Sequence, residues 1–208
     1  MAAPVLYFHG FASSPESAKI VALRPLLAPD VELHTPDLNL PEFERLDFEA
    51  IVAHVLAEGR RVRPRAIVGS SLGAIVALEA VRRGLVAPLV LIAPAIGIGH
   101  RWLTKLPEGD PIRVFNHARG ADAWIHRAFF EQLATLDCDA EPPPARVTVL
   151  MGRQDETVPF TLVEEAWARW EASGKLVAGS RFHEVAEGDH GLVAHAAVIA
   201  AEIRASVA

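Results

Sequence analysis

Short apolar runs rich in β-branched residues recur along the chain, and longer segments with apolar positions at helical spacing fill the gaps between them. Six of these runs predict strands: Val5 to Phe8, Val31 to Thr35, Ala66 to Gly69, Leu89 to Ala93, Val147 to Met151, and Ser180 to Val185. Several are apolar throughout, the pattern of strands buried on both faces of a parallel sheet. The helical segments predict Pro15 to Leu27, with Ser14 as N-cap and Pro15 at the first helical position, where its missing N–H costs nothing. Further helices are expected over Phe43 to Glu58, Ser71 to Arg83, Thr161 to Ala172 and Gly191 to Ser206. Such alternation defines an α/β chain, a mostly parallel sheet of about six strands with helices on both faces.

One stretch breaks the rhythm. Residues 97–144 lie between two predicted strands, yet the stretch is far longer than a crossover helix needs. It contains Trp102, Phe115, Trp124, Phe129 and Phe130 among polar residues and ends in the stiff run Pro142-Pro143-Pro144. It is expected to be an excursion over the sheet that forms a small helical lid, the alternative being an ordinary helix whose aromatics pack on the sheet.

Composition narrows the class. A chain of 208 residues, 51% apolar, suits one domain spanning 1–208 with a single substantial core. The net charge of −6 is mild and the basic residues fall in short groups such as Arg60-Arg61 and Arg82-Arg83, which argues against nucleic acid as a partner. No apolar run is long enough for a membrane span, and the N-terminus lacks signal-peptide character, so a cytoplasmic location is expected. Oligomeric state is left open. The single cysteine, Cys138, cannot form an internal disulfide and lies between Asp137 and Asp139, which disfavour a reactive thiolate. No Cys/His cluster has structural zinc spacing, and none of the nine histidines falls in an H-E-x-x-H pattern, so no metal is expected.

The chemistry concentrates at strand ends. Gly69-Ser70-Ser71-Leu72-Gly73 is a G-x-S-x-G sequence placed between an apolar strand and an Ala-rich helix, the context of a nucleophile elbow. Small residues two before and two after the serine let strand and helix approach, which supports Ser71 over Ser70 as the nucleophile. A serine hydroxyl needs a histidine to take its proton and a carboxylate to orient that histidine. His190 follows the last predicted strand in Gly188-Asp189-His190-Gly191, and Asp155 follows the strand before it in Asp155-Glu156-Thr157-Val158-Pro159. Glu156 is the alternative acid but is expected to face solvent, and Asp189 is expected to serve a turn. His183, His195, His100, His117 and His126 have poorer placement.

Acyl transfer also needs two backbone N–H donors for the developing oxyanion. The amide of Leu72 is one candidate; that of Phe11, after the flexible Gly10 in His9-Gly10-Phe11-Ala12-Ser13-Ser14, is the other. A plain strand-to-helix turn is the competing reading of that loop. His9 is expected to brace the loop, and Asp37 either lines the pocket or makes a helix-cap or loop contact.

His9-Gly10-Phe11-Ala12-Ser13-Ser14-Pro15, Gly69-Ser70-Ser71-Leu72-Gly73, Asp155-Glu156-Thr157-Val158-Pro159 and Gly188-Asp189-His190 together resemble the α/β-hydrolase superfamily. The short chain and its opening motif look most like the small bacterial YqiA-type esterases. The resemblance covers nearly the whole chain and is weakest over 97–144. It implies cleavage of carboxylic esters or thioesters of short acyl groups, a small-molecule substrate and no cofactor. A peptidase or perhydrolase with the same triad, and a binding protein of the same fold, remain as alternatives.

Overall fold

A computed structural model describes the backbone of residues 1–208 and every side chain except those of Ile98 and His100; the weighing of His100 as a base thus lies outside the described residues. All six expected strands are present within a residue or two of their expected bounds. They are β1 (Ala3–Phe8), β2 (Val31–His34), β3 (Ala66–Ser70), β4 (Leu89–Ile92), β7 (Val147–Gly152) and β8 (Arg181–Val185), while β5 (Ile112–Asn116) and β6 (Ala121–Ile125) belong elsewhere. The six form one sheet in the order β2-β1-β3-β4-β7-β8, every neighbouring pair parallel.

Alternation along β1 explains the layering. Val5 and Tyr7 point to a core shared with Ile20, Leu23 and Leu27 of α1 (Ala18–Leu27) and with Ile199 and Ile203 of α7 (Ala196–Val207). Leu6 and Phe8 point the other way, into the larger core. That core takes in α2 (Phe48–Val62), α3 (Leu72–Arg82) and α6 (Phe160–Ala172). The chain winds from β1 outward to β2 and then returns to place β3 on the other side of β1. Such a reversal of strand order opens a crevice at the carboxyl ends of the strands.

Three helix starts differ from expectation. Ser14 accepts the Glu16 N–H through its hydroxyl and the Ser17 N–H through its carbonyl, so residues 14–17 close a turn and α1 begins at Ala18 rather than Pro15. Phe43–Arg45 is a separate 3₁₀ turn; Asp47 then caps α2 by accepting the Ala50 N–H at 2.7 Å, and α2 runs on to Val62. Leu192 adopts a left-handed conformation that interrupts the C-terminal helical pattern. A 3₁₀ turn over Val193–His195 and then α7 follow, instead of one helix from Gly191.

The excursion is not all-helical. It comprises α4 (Ile98–Lys105), an antiparallel hairpin of β5 and β6, and α5 (Ala128–Ala134). Phe129 and Phe130 are buried, but Phe115 and Trp124 on the hairpin stand 51% and 55% exposed.

Candidate active site

Ser71 stands where β3 turns into α3, with φ 55° and ψ −115°, a backbone region that a non-glycine residue occupies only under strain. The turn is held from behind by the Ser71 N–H donating to Ile92 O at 2.9 Å. Its tightness depends on two glycines. A Cβ on Gly69 would sit 2.6 Å from Ala74 Cα, and one on Gly73 would collide with Phe8 O and lie 2.6 Å from His9 O. These obstacles are backbone and cannot rotate away. Gly73→Ala is therefore expected to destabilise the protein by about 1–3 kcal/mol through overpacking. In a circular-dichroism melt the midpoint should fall by roughly 2–4 °C for each kcal/mol.

The expected serine, histidine and aspartate converge. His190 Nε2 lies 3.0 Å from Ser71 Oγ, and His190 Nδ1 lies 2.8 Å from Asp155 Oδ2. The other Asp155 oxygen accepts the N–H groups of Thr157 (2.9 Å) and Val158 (2.7 Å), and the carboxylate is fully buried. An acceptor carboxylate on Nδ1 places the imidazole hydrogen there, leaving Nε2 to accept from the Ser71 hydroxyl. Asp189 makes the turn expected of it, accepting the Leu192 N–H at 2.7 Å, and Glu156 faces solvent.

His9 braces the loop after β1. Its Nε2 accepts the Leu38 N–H at 3.0 Å, so Nδ1 carries the hydrogen and donates to Gly10 O at 2.9 Å. In a trans peptide the carbonyl and N–H point in opposite directions, so this bond also sets the direction of the Phe11 N–H. A Cβ on Gly10 would meet Ser71 Cβ at 3.4 Å, which measures how closely loop and elbow approach. Neither the Phe11 nor the Leu72 amide has a hydrogen-bond acceptor among the described residues. Asp37 does not line the cleft. It is exposed beside His9 and accepts the Asn39 backbone N–H at 3.0 Å and its side-chain amide at 2.7 Å, a loop contact.

Around Ser71 opens a cleft of about 540 Å³, walled by Phe11, Trp102, Phe115, His117 and His190. Trp102 also borders a second cavity of about 350 Å³ behind the elbow, lined by Leu72, Ile75, Leu133 and Cys138. Burial and the adjacent Asp139 push the Cys138 thiol up to about 12, so it stays protonated as expected. Among the described residues no group of three or more His, Cys, Asp or Glu is gathered as metal ligands, and no helix is long and apolar enough to cross a membrane.

Sequence reading missed Lys19, which lines the cleft almost fully buried and donates to Ser70 Oγ at 2.7 Å. The available signal was a charged residue in register with Leu23 and Leu27 on the apolar stripe of α1. The Tyr7 hydroxyl, also unanticipated, is buried with no partner among the described residues.

Solved structures place the fold among α/β hydrolases. Est1E from Butyrivibrio proteoclasticus, with ferulic acid bound, matches with a TM-score of 0.79 at 16% identity over 99% of this chain and 90% of that one. The esterase domain of a Rhodothermus marinus protein matches at 0.70 and 17%, over 99% and 88% of the two chains. Mouse alpha/beta hydrolase domain-containing protein 10 matches at 0.71 and 21%, over 97% and 88%. The model of an uncharacterised protein family (UPF0227) matches residues 4–195.

Proposed function

The chain belongs to the UPF0227 family, and on that premise we propose that it is a serine hydrolase cleaving carboxylic esters of short acyl groups through an acyl-enzyme. The observation that carries this reading is the unbroken hydrogen-bond chain from Ser71 Oγ through His190 to the buried Asp155. Ser71 attacks the acyl carbonyl as His190 Nε2 takes the hydroxyl proton, and Asp155 holds the imidazole and the imidazolium that forms. The amides of Phe11 and Leu72 donate to the tetrahedral oxyanion, a pair in which each donor is typically worth ~10²- to 10³-fold in rate. His190 then returns the proton to the departing alkoxide, and the ester C–O bond breaks. A water, deprotonated by His190, attacks the acyl-serine, and collapse of the second tetrahedral adduct frees the acid and restores the Ser71 hydroxyl. Residues 97–144 act as the cap of the cleft, contributing Trp102, Phe115 and His117 to its wall.

Labelling with a fluorophosphonate probe tests the assignment. Wild type should be labelled and Ser71→Ala should not; equal labelling of both would overturn it.

A further inference from the structure

Lys19 is the only lysine or arginine among the described residues of the cleft, and no acidic side chain lines it. The residue is 8% exposed, and its ammonium uses one donor on Ser70 Oγ. Among the described residues no carboxylate pairs directly with Nζ; Asp155 and Asp189 act on the charge only from beyond contact distance, so the buried ammonium is incompletely compensated, a state that a bound anion would relieve. Lys19 is itself part of the cleft wall. Ser17 and Ala18 open on the same cleft, and the first intrahelical bond of α1 runs from Val21 N to Ser17 O. The N–H groups of Ala18, Lys19 and Ile20 therefore lack helical acceptors, and the positive end of the helix dipole adds to the ammonium. The Ser17 side chain makes no capping bond.

We propose that Lys19, with the N-terminus of α1, forms an anion subsite beside Ser71 that selects esters carrying a carboxylate or phosphate group near the scissile bond. The proposal rests on the esterase reading. It makes Lys19 a substrate-binding residue that determines specificity, distinct from the proton-transfer groups.

Burial pulls the Lys19 ammonium down to about 8, against the raising influence of Asp155 and Asp189. Ser70 at the end of β3 holds the ammonium, Asp155 after β7 and Asp189 after β8 act on its charge, and His9, His117 and His190 line the same cleft. A lysine with a lowered value is charged below it. Selection for anions should thus be present at pH 7 and fade as pH rises through about 8.

The test compares matched pairs: mono-para-nitrophenyl adipate against para-nitrophenyl hexanoate, and para-acetoxybenzoate against its methyl ester. Wild type should prefer the anionic member of at least one pair, by about 10- to 100-fold in kcat/KM, the scale of a hydrogen bond to a charged group. Lys19→Met should cut that ratio about 10-fold or more, chiefly through KM, and Lys19→Arg should restore part of it. A ratio within twofold of wild type in Lys19→Met, or a parallel fall for both members, would overturn the proposal. A binding measurement separates this from failure of the esterase reading. Adipate or inorganic phosphate should raise the melting midpoint of wild type more than that of Lys19→Met, and adipamide should raise neither. If neutral esters are not cleaved but the anions still stabilise wild type, the hydrolase reading fails and the subsite stands. If neither anion does so, the subsite fails.

Discussion

Asp155→Asn should lower kcat by about 10⁴-fold while leaving the backbone of its loop in place. The reason lies in the two ends of the carboxylate. Oδ1 accepts the N–H groups of Thr157 and Val158, so an asparagine must keep its oxygen there, because the amide NH₂ would face two donors. Its NH₂ is thereby forced toward His190 Nδ1, which now must accept. The imidazole hydrogen moves to Nε2, and a ring carrying hydrogen on Nε2 cannot take the Ser71 proton. A 10⁴-fold loss is about 5.5 kcal/mol of barrier. Steady-state kinetics with para-nitrophenyl butyrate will measure it, alongside a melt to show that the variant is folded. A kcat within tenfold of wild type would remove Asp155 from the triad.

His190→Ala should be more severe, about 10⁶-fold in kcat, and should not add to Ser71→Ala. Without Nε2 at 3.0 Å the serine hydroxyl has no proton acceptor and is no better a nucleophile than water. Once either partner is gone the other has nothing to act on, so each single variant and the double variant should fall to one common floor. That floor should lie about 10³- to 10⁴-fold above the uncatalysed rate, supported by substrate binding and the Phe11 and Leu72 amides. Additive losses in the double variant, measured with the same ester, would mean that the two residues work independently.

The sheet was legible because interior parallel strands have no wet face. Val68, Val90 and Val149 are all buried, and runs such as Leu89 to Ile92 carry no polar interruption that could blur them. The convergence of Ser71, Asp155 and His190 was legible for a related reason, since strand ends are fixed once strands are found and the three residues follow strand ends. The hairpin was not. Its inward positions Ile112, Ala123 and Ile125 are buried, but the outward Phe115 and Trp124 are apolar as well, which erases the inside-outside contrast of a strand. The start of α1 was misplaced because Pro15 suits both a first helical turn and the tight turn over residues 14–17, and only the Ser14 hydrogen bonds decide between them. Lys19 escaped notice because its meaning depends on which strand end the helix lies over, a relation that arises only when the chain is wound.

The excursion leaves the sheet after β4 and rejoins it at β7, and these two strands are immediate neighbours in the sheet. Its two roots are therefore side by side, and the frame that carries Ser71, Asp155 and His190 closes without it. Residues 97–144 are thus an insertion in the sheet's connectivity but not in its packing: Ile125, Phe129 and Phe130 share a core with Phe43 and Phe48, and Gln132 accepts the Phe48 N–H, so exchanging the segment would loosen α2 as well as reshape the cleft.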